Sequence, residues 1–205
     1  MPTVLVTGAG RGIGRATATR LAASGWDVVA GVRRPEDGEA LAATGGGRIT
    51  HVQLDVTDAA QVAALDAALP AGLDAVVNNA GIAVSGPVEG IGLDDLRHQL
   101  EVNVVGQVAV TQTVLPRLRA SKGRVVFVSS LSGRVATPMT GAYNASKFGL
   151  EGLADALRME VRPWGIRVSL IEPAQTDTDM WRTAETALDE AVGALQPVHR
   201  ELYAK

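Results

Sequence analysis

TVLVTGAGRGIG, residues Thr3 to Gly14, decides how the rest of the chain is read. Thr3 to Thr7 is a short apolar run of strand type, and glycines stand at positions 8, 10, 12 and 14. A helical pattern then follows through Ile13, Ala16, Thr17, Leu21 and Ala22 and ends near Gly25. Strand, glycine loop and helix N-terminus form an arrangement for holding phosphate, because glycines let the backbone approach an anion and unpaired helical N–H groups face it. The spacing is not G-x-G-x-x-G, since position 13 is isoleucine, and no Gly-Lys-Ser/Thr closes it as a P-loop would.

Outward from this turn the chain alternates strand and helix. Strands are expected at Asp27–Val32, Ile49–Asp55, Asp74–Asn78, Val125–Ser129 and Ile166–Ile171. Helices are expected over Glu36–Ala43, over Val56–Leu69 with a start near Thr57 or Asp58, over Asp94–Ala120 with breaks near Gly106 and Pro116, and from Tyr143 to Val161. A helical run is also read over Thr178–Leu195, and another from Pro197. Strands apolar on both sides and separated by helices predict an α/β fold with a doubly wound, Rossmann-like parallel sheet. Residues 1–205 read as a single domain, with a cofactor half to about 90 and a catalytic half from about 91.

Composition narrows the function. The chain is 46% hydrophobic with a net charge of −3, and it has no basic block to attract nucleic acid. It has no cysteine, and His51, His98 and His199 are scattered, so no metal site is expected. The N-terminus enters a strand pattern without a leader, and no apolar run reaches membrane-spanning length. The expectation is a cytoplasmic protein without membrane or nucleic-acid partners.

A second stretch carries chemistry. Ser130 to Lys147 reads SLSGRVATPMTGAYNASK and supplies a hydroxyl, a phenol and an ammonium. Tyr143 and Lys147 stand four apart with helical spacing, so they share one face. A phenol titrates near ~10, so acid work near pH 7 needs a shift of ~3 units, ~4 kcal/mol. One cation ~4 Å away at an effective dielectric of ~20 supplies about that much as an upper bound.

Taken together, these motifs resemble the short-chain dehydrogenase/reductase family from Thr3 to Thr178. The matching pieces are Thr7-Gly8-x-x-x-Gly12-Ile13-Gly14, Asn78-Asn79-Ala80-Gly81, Asn103 within Glu101–Gly106, and Ser130, Tyr143 and Lys147. The resemblance implies hydride transfer between a nicotinamide and a carbonyl or alcohol carbon. It implies Tyr143 as general acid/base, Lys147 holding the ribose and lowering the tyrosine pKa, Ser130 on the reacting oxygen, and Asn103 holding a water that links Lys147 to solvent. It places Gly8, Gly12, Ile13 and Gly14 at the pyrophosphate and Asp55 and Val56 at the adenine. Asn79, Ala80 and Gly81 fall at the ribose, with Pro173, Thr176 and Thr178 at the carboxamide. Asp55 also reads as a plain helix-entry residue. Pro173-Ala174 stands where the family has Pro-Gly, which leaves the conformation of that loop open. Val84, Leu131, Met139, Met180 and Trp181 are candidate substrate-lining residues or plain packing, and their apolar character favours a hydrophobic ketone or alcohol.

For the cofactor, NADP(H) is expected over NAD(H). The position at the end of the second strand, where an acidic residue would select NAD, is Val32, and Arg33 and Arg34 follow. Either guanidinium could pair with a 2′-phosphate, and Arg11 could reach the same group from the glycine loop. A non-catalytic NAD(P)-binding sensor is the alternative, but it would be expected to lack some of Asn103, Ser130, Tyr143 and Lys147. An extended-type sugar-nucleotide epimerase or dehydratase would be expected to carry a different glycine spacing and a larger C-terminal domain. The resemblance also implies a homodimer or homotetramer through the helices of residues 94–120 and 143–161. Phe148, Leu150, Leu153, Leu157 and Met159 are the apolar surface expected to pair. Finally, the family's seventh strand has no counterpart after Ile171, so a chain lacking its last C-terminal strand is expected.

Overall fold

Val4 and Val6 face one side of their strand and Leu5 the other, and none is more than 1% exposed. A strand with both faces buried has to lie inside a sheet covered by helices on both sides. The structure, a computed structural model, describes residues 1–174, 193, 195 and 197–203. Its strands are β1 (Thr3–Thr7), β2 (Asp27–Val32), β3 (Ile49–Gln53), β4 (Ala75–Asn78), β5 (Arg124–Val128) and β6 (Arg167–Ile171). They form one sheet in the order β3-β2-β1-β4-β5-β6, and every pair is parallel. This is the expected Rossmann-like single domain. Among the described residues there is no seventh strand, and β6 pairs only with β5.

Helices α1 (Gly12–Ala23) and α2 (Pro35–Thr44) cover one face, where Ala18, Ala22 and Leu41 pack on Val4, Val6, Val28 and Ala30. Alanines on α1 leave room for close helix–sheet approach. The other face is covered by α3 (Ala59–Ala68), α5 (Gly106–Ser121) and α6 (Gly141–Val161). There Val62, Val110, Val114, Leu118, Leu150 and Ala154 meet Leu5, Val76, Val125 and Phe127. Each fully buried Val, Leu or Phe contributes about 1.5–3 kcal/mol, which makes this alternation the main force setting strand register.

Several boundaries differ from the sequence reading. Strand β3 stops at Gln53, because the Asp55 N–H donates to the side chain of Gln61 and the backbone leaves the ladder. Asp58, not Asp55, caps α3, accepting from the N–H groups of Ala60 and Gln61 at 2.9 and 3.1 Å. The expected long helix divides into α4 (Leu93–Leu100), a π-helical turn (Glu101–Val105) and α5. The break therefore falls on the residues before Gly106, while Pro116 sits inside α5 without ending it. Buried Val114 and Leu118 pack α5 into the core on both sides of that proline. The helix read from Pro197 is present over Pro197–Tyr203, whereas the run read over 178–195 lies almost wholly outside the described residues.

Candidate active site

Strand order reverses between β1 and β4, so their carboxyl ends diverge to opposite sides and leave a crevice. The loops that follow these strands are stitched together. Thr7 Oγ1 accepts from the N–H groups of Asn79 and Ala80, both at 3.0 Å, and Asn79 Nδ2 donates to the carbonyls of Thr7 and Gly8. Gly8 takes φ +63°, and a Cβ there would stand 2.9 Å from the Ala80 Cα. Gly14 does not line the crevice: a Cβ on it would collide with the Gly8 carbonyl and Asn79, so its part is to let α1 pack against the loop.

The crevice is about 580 Å³ and extends from Arg33 and Arg34 to Ser130, Tyr143 and Lys147. Gly8, Arg11, Gly12 and Ile13 form its floor beside Asn79, Ala80 and Gly81. No side chain caps the N-terminus of α1, so its first N–H groups stay available to an anion in the crevice. Asp55 and Val56 also line it. Burial opposes ionisation of Asp55. Hydrogen bonds from the Thr57 N–H and Oγ1, with the nearby charges of Arg33 and His98, outweigh burial and hold its pKa below the usual carboxylate value. This shape and donor set fit a dinucleotide.

At the adenosine end the arginines are not equivalent. Arg34 forms a two-pronged pair with Asp37, with both N···O distances 2.9 Å, and this pairing raises its pKa. Among the described residues the Arg33 and Arg11 side chains line the crevice and make no hydrogen bond or ion pair within 4 Å.

At the other end Ser130, Tyr143 and Lys147 converge. Tyr143 is 3% exposed and hydrogen-bonded with Ser130, whose Oγ also accepts from the Ser132 N–H at 3.1 Å. Burial pushes the phenol pKa up, and the Ser130 hydrogen bond only partly opposes it. The fall expected from Lys147 is therefore not found in the protein alone. The Lys147 ammonium stands 5.6 Å from the Tyr143 ring centroid and donates to the Val128 carbonyl at 2.8 Å. Burial lowers the Lys147 pKa from its ordinary 10.5 to about 8, against the opposing charge of Glu151.

The sequence model of the family described as short chain dehydrogenase matches residues 2–189. The chain belongs to the short chain dehydrogenase family. An uncharacterized oxidoreductase of Bacillus subtilis is 40% identical over 188 residues, covering 88% of this chain and 67% of the relative. Mouse retinol dehydrogenase 5 is 36% identical, covering 94% of this chain and 61% of the relative. An NADPH-dependent 3-dehydrocapnine reductase of Ornithobacterium rhinotracheale is also 36% identical, over 89% of this chain and 68% of its own length. A crystal structure of a short-chain dehydrogenase from Streptomyces avermitilis superposes with a TM-score of 0.83 at 36% identity, covering 88% of this chain and 69% of that one. The chain thus spans about two thirds of the length of these proteins.

Within this short chain dehydrogenase, Asn103 lies off the crevice wall, fully buried in the π turn. Its amide holds the Ile82 backbone and donates to Ser146 Oγ at 3.1 Å. Val84, Leu131 and Met139 do not line the crevice formed by the described residues. The Val84 N–H is held by Gln99 at 2.7 Å, and the Met139 carbonyl by the Gly86 N–H at 2.7 Å. Leu131 is half exposed, with its N–H on the Pro173 carbonyl at 3.0 Å. Thr176, Thr178, Met180 and Trp181 lie outside the described residues. Pro173 and Ala174 line the crevice, and Ala174 takes no positive φ, so the absent glycine causes no strain.

Other residues went unnoticed in the sequence. Asp37 and Ser129 line the crevice, as does His98, which the sequence marks only as one of three scattered histidines. Gln99 and Asn144 hold the surrounding loops. Asn144 Nδ2 donates to the carbonyls of Ser132 and Val135, both at 3.1 Å, and so ties the segment after Ser130 to α6. The available signal was a polar residue at a position where helical spacing faces the core.

Among the described residues no group of His, Cys, Asp and Glu could hold a metal ion, and no helix is long and apolar enough to cross a membrane.

Proposed function

We propose that this protein is an oxidoreductase that transfers a hydride between NADP(H) and a carbonyl or alcohol group of a small, apolar substrate. In this reading residues 1–90 hold the cofactor and residues 91–205 carry the catalytic groups. The observation that carries it is the meeting of Ser130, Tyr143 and Lys147 at one end of a crevice whose other end is lined by arginines. When bound, the nicotinamide supplies or accepts the hydride.

The chain's own residues manage the proton and the geometry. Tyr143 donates its phenolic proton to a carbonyl oxygen in reduction and accepts it back in oxidation. A phenol whose pKa is raised by burial stays protonated at neutral pH, which suits the reductive direction. Ser130 presents its hydroxyl to the same oxygen and fixes the tilt of the phenol through their hydrogen bond. Lys147 uses one of its three donors on Val128, leaving two for ribose hydroxyls. Arg33 and Arg11 are the cations offered to a 2′-phosphate, with Arg34 restrained by Asp37. The reductase among the relatives that is named NADPH-dependent supports the same choice.

Consumption of NADPH absorbance with a panel of apolar ketones tests the proposal. Turnover with at least one ketone, and faster than with NADH, is the expected result. Tight NADPH binding without turnover of any ketone or alcohol would favour a non-catalytic binding role instead. We further propose a cytoplasmic homodimer or homotetramer. Phe148, Leu153 and Met159 of α6 are left exposed, while Leu150 is fully buried in the core and Leu157 packs against it, so the proposed surface is smaller than the sequence suggested.

A further inference from the structure

Tyr143, Lys147 and Glu151 are spaced four apart on α6, and all three are buried. The first two belong to the site just described, but the third has no part in it. Glu151 is 4% exposed, and neither of its carboxylate oxygens makes a hydrogen bond. A buried carboxylate in that state is costly unless a charge nearby needs it. Two cations are in reach. Arg134 Nη2 stands 2.9 Å from Oε2 as an ion pair without hydrogen-bond alignment, and Lys147 lies one helical turn back on the same face.

The surroundings give Glu151 little other purpose. Ser129 Oγ, likewise buried without a partner, and Glu151 Cγ lie 2.9 and 3.0 Å from the point a Cβ of Gly133 would occupy. Both side chains therefore border the same spot beside Gly133, and Ser129 also lines the crevice. Arg134 turns outward to Glu172 at 3.0 Å, and Asp155 acts on it from the next turn of α6. Tyr143 and Glu151 thus face the lysine, and Arg134, with Glu172 and Asp155 acting on it, stands beyond Glu151.

We propose that Glu151 is a positioning residue for Lys147: its buried carboxylate keeps the ammonium charged inside the protein, and Arg134 limits how strongly it does so. The opposing influence of Glu151 on the lysine pKa agrees in sign with this arrangement. What the charge does for a bound ribose rests on the function proposed above, whereas the titration of Lys147 does not.

The chain has only three lysines, Lys122, Lys147 and Lys205, so ε-13C-lysine labelling gives three resonances, with Lys147 assigned by Lys147→Arg. Followed against pH, the Lys147 midpoint is expected to move down in Glu151→Gln and up in Arg134→Gln. Opposite shifts would not come from mere loosening of the fold. An unchanged or raised midpoint in Glu151→Gln overturns the proposal, and so does a shift of the same sign in both variants. If Glu151→Gln does not fold, Arg134→Gln decides alone, because its side chain is half exposed: a raised midpoint supports the proposal, and an unchanged or lowered one overturns it. NADPH titration of the parent protein by fluorescence is run in parallel. Absence of binding there counts against the proposed function and leaves the lysine result standing.

Discussion

Asn103 grips both polar backbone groups of Ile82, accepting from its N–H at 2.9 Å and donating to its carbonyl at 3.0 Å. The amide is placed for this by the π-helical turn, which rotates residue 103 out of the regular helical register toward the loop after β4. It acts as a clamp on the loop bordering the crevice.

Removing the clamp should therefore cost stability. Asn103→Ala leaves two backbone groups without their partner, and each such group costs about 1–3 kcal/mol where it is kept from water. A lowered midpoint in urea denaturation, with weaker NADPH binding, is the expected result. Stability equal to that of the parent would refute the clamp.

Tyr143→Phe removes only the hydroxyl that joins Tyr143 to Ser130. The loss expected for a general acid is about 10²–10⁴-fold in kcat/KM, with NADPH affinity retained. Near-parental turnover would end the assignment.

Lys147 makes stability depend on pH in a defined direction. Its folded pKa of about 8 lies below its ordinary 10.5, so between these values the unfolded chain binds more protons and stability rises with pH. Below about 8 the full cost of burying the charge is present, on the order of 3 kcal/mol, offset by about 1 kcal/mol from the bond to Val128. Lys147→Met should thus abolish activity and flatten the rise in stability between pH 8 and 10.5. An unchanged rise in stability over that range would refute it.

Cofactor choice can be moved both ways. Arg33→Ala is expected to weaken NADPH about tenfold and leave NADH unchanged, as loss of a charge-assisted phosphate contact would. Asp37→Ala releases Arg34 from its pair and should tighten NADPH instead. Calorimetry with both cofactors checks this, and equal effects on NADH and NADPH would contradict it.

The exposed face of α6 gives a fifth expectation. Phe148→Arg with Leu153→Arg should shift the mass in light scattering from an oligomer to a monomer. A parent protein already monomeric at micromolar concentration would rule out the interface.

What the sequence determined by itself was whatever local periodicity and local chemistry encode. Short apolar runs marked β1 to β6, the glycines after Thr7 marked the phosphate turn, and the four-residue spacing of Tyr143 and Lys147 placed both on one face. Contacts distant in the chain were decided by tertiary structure. The ladder order put the loops after β1 and β4 side by side, so Thr7 could hold Asn79 across 72 residues. Asp37 paired with Arg34 at the crevice edge, and the crevice wall excluded Gly14 and Asn103. Burial, a property of the whole fold, raised the Tyr143 pKa and lowered that of Lys147. Desolvation depends on what surrounds a group in space, and spacing along the chain does not report it.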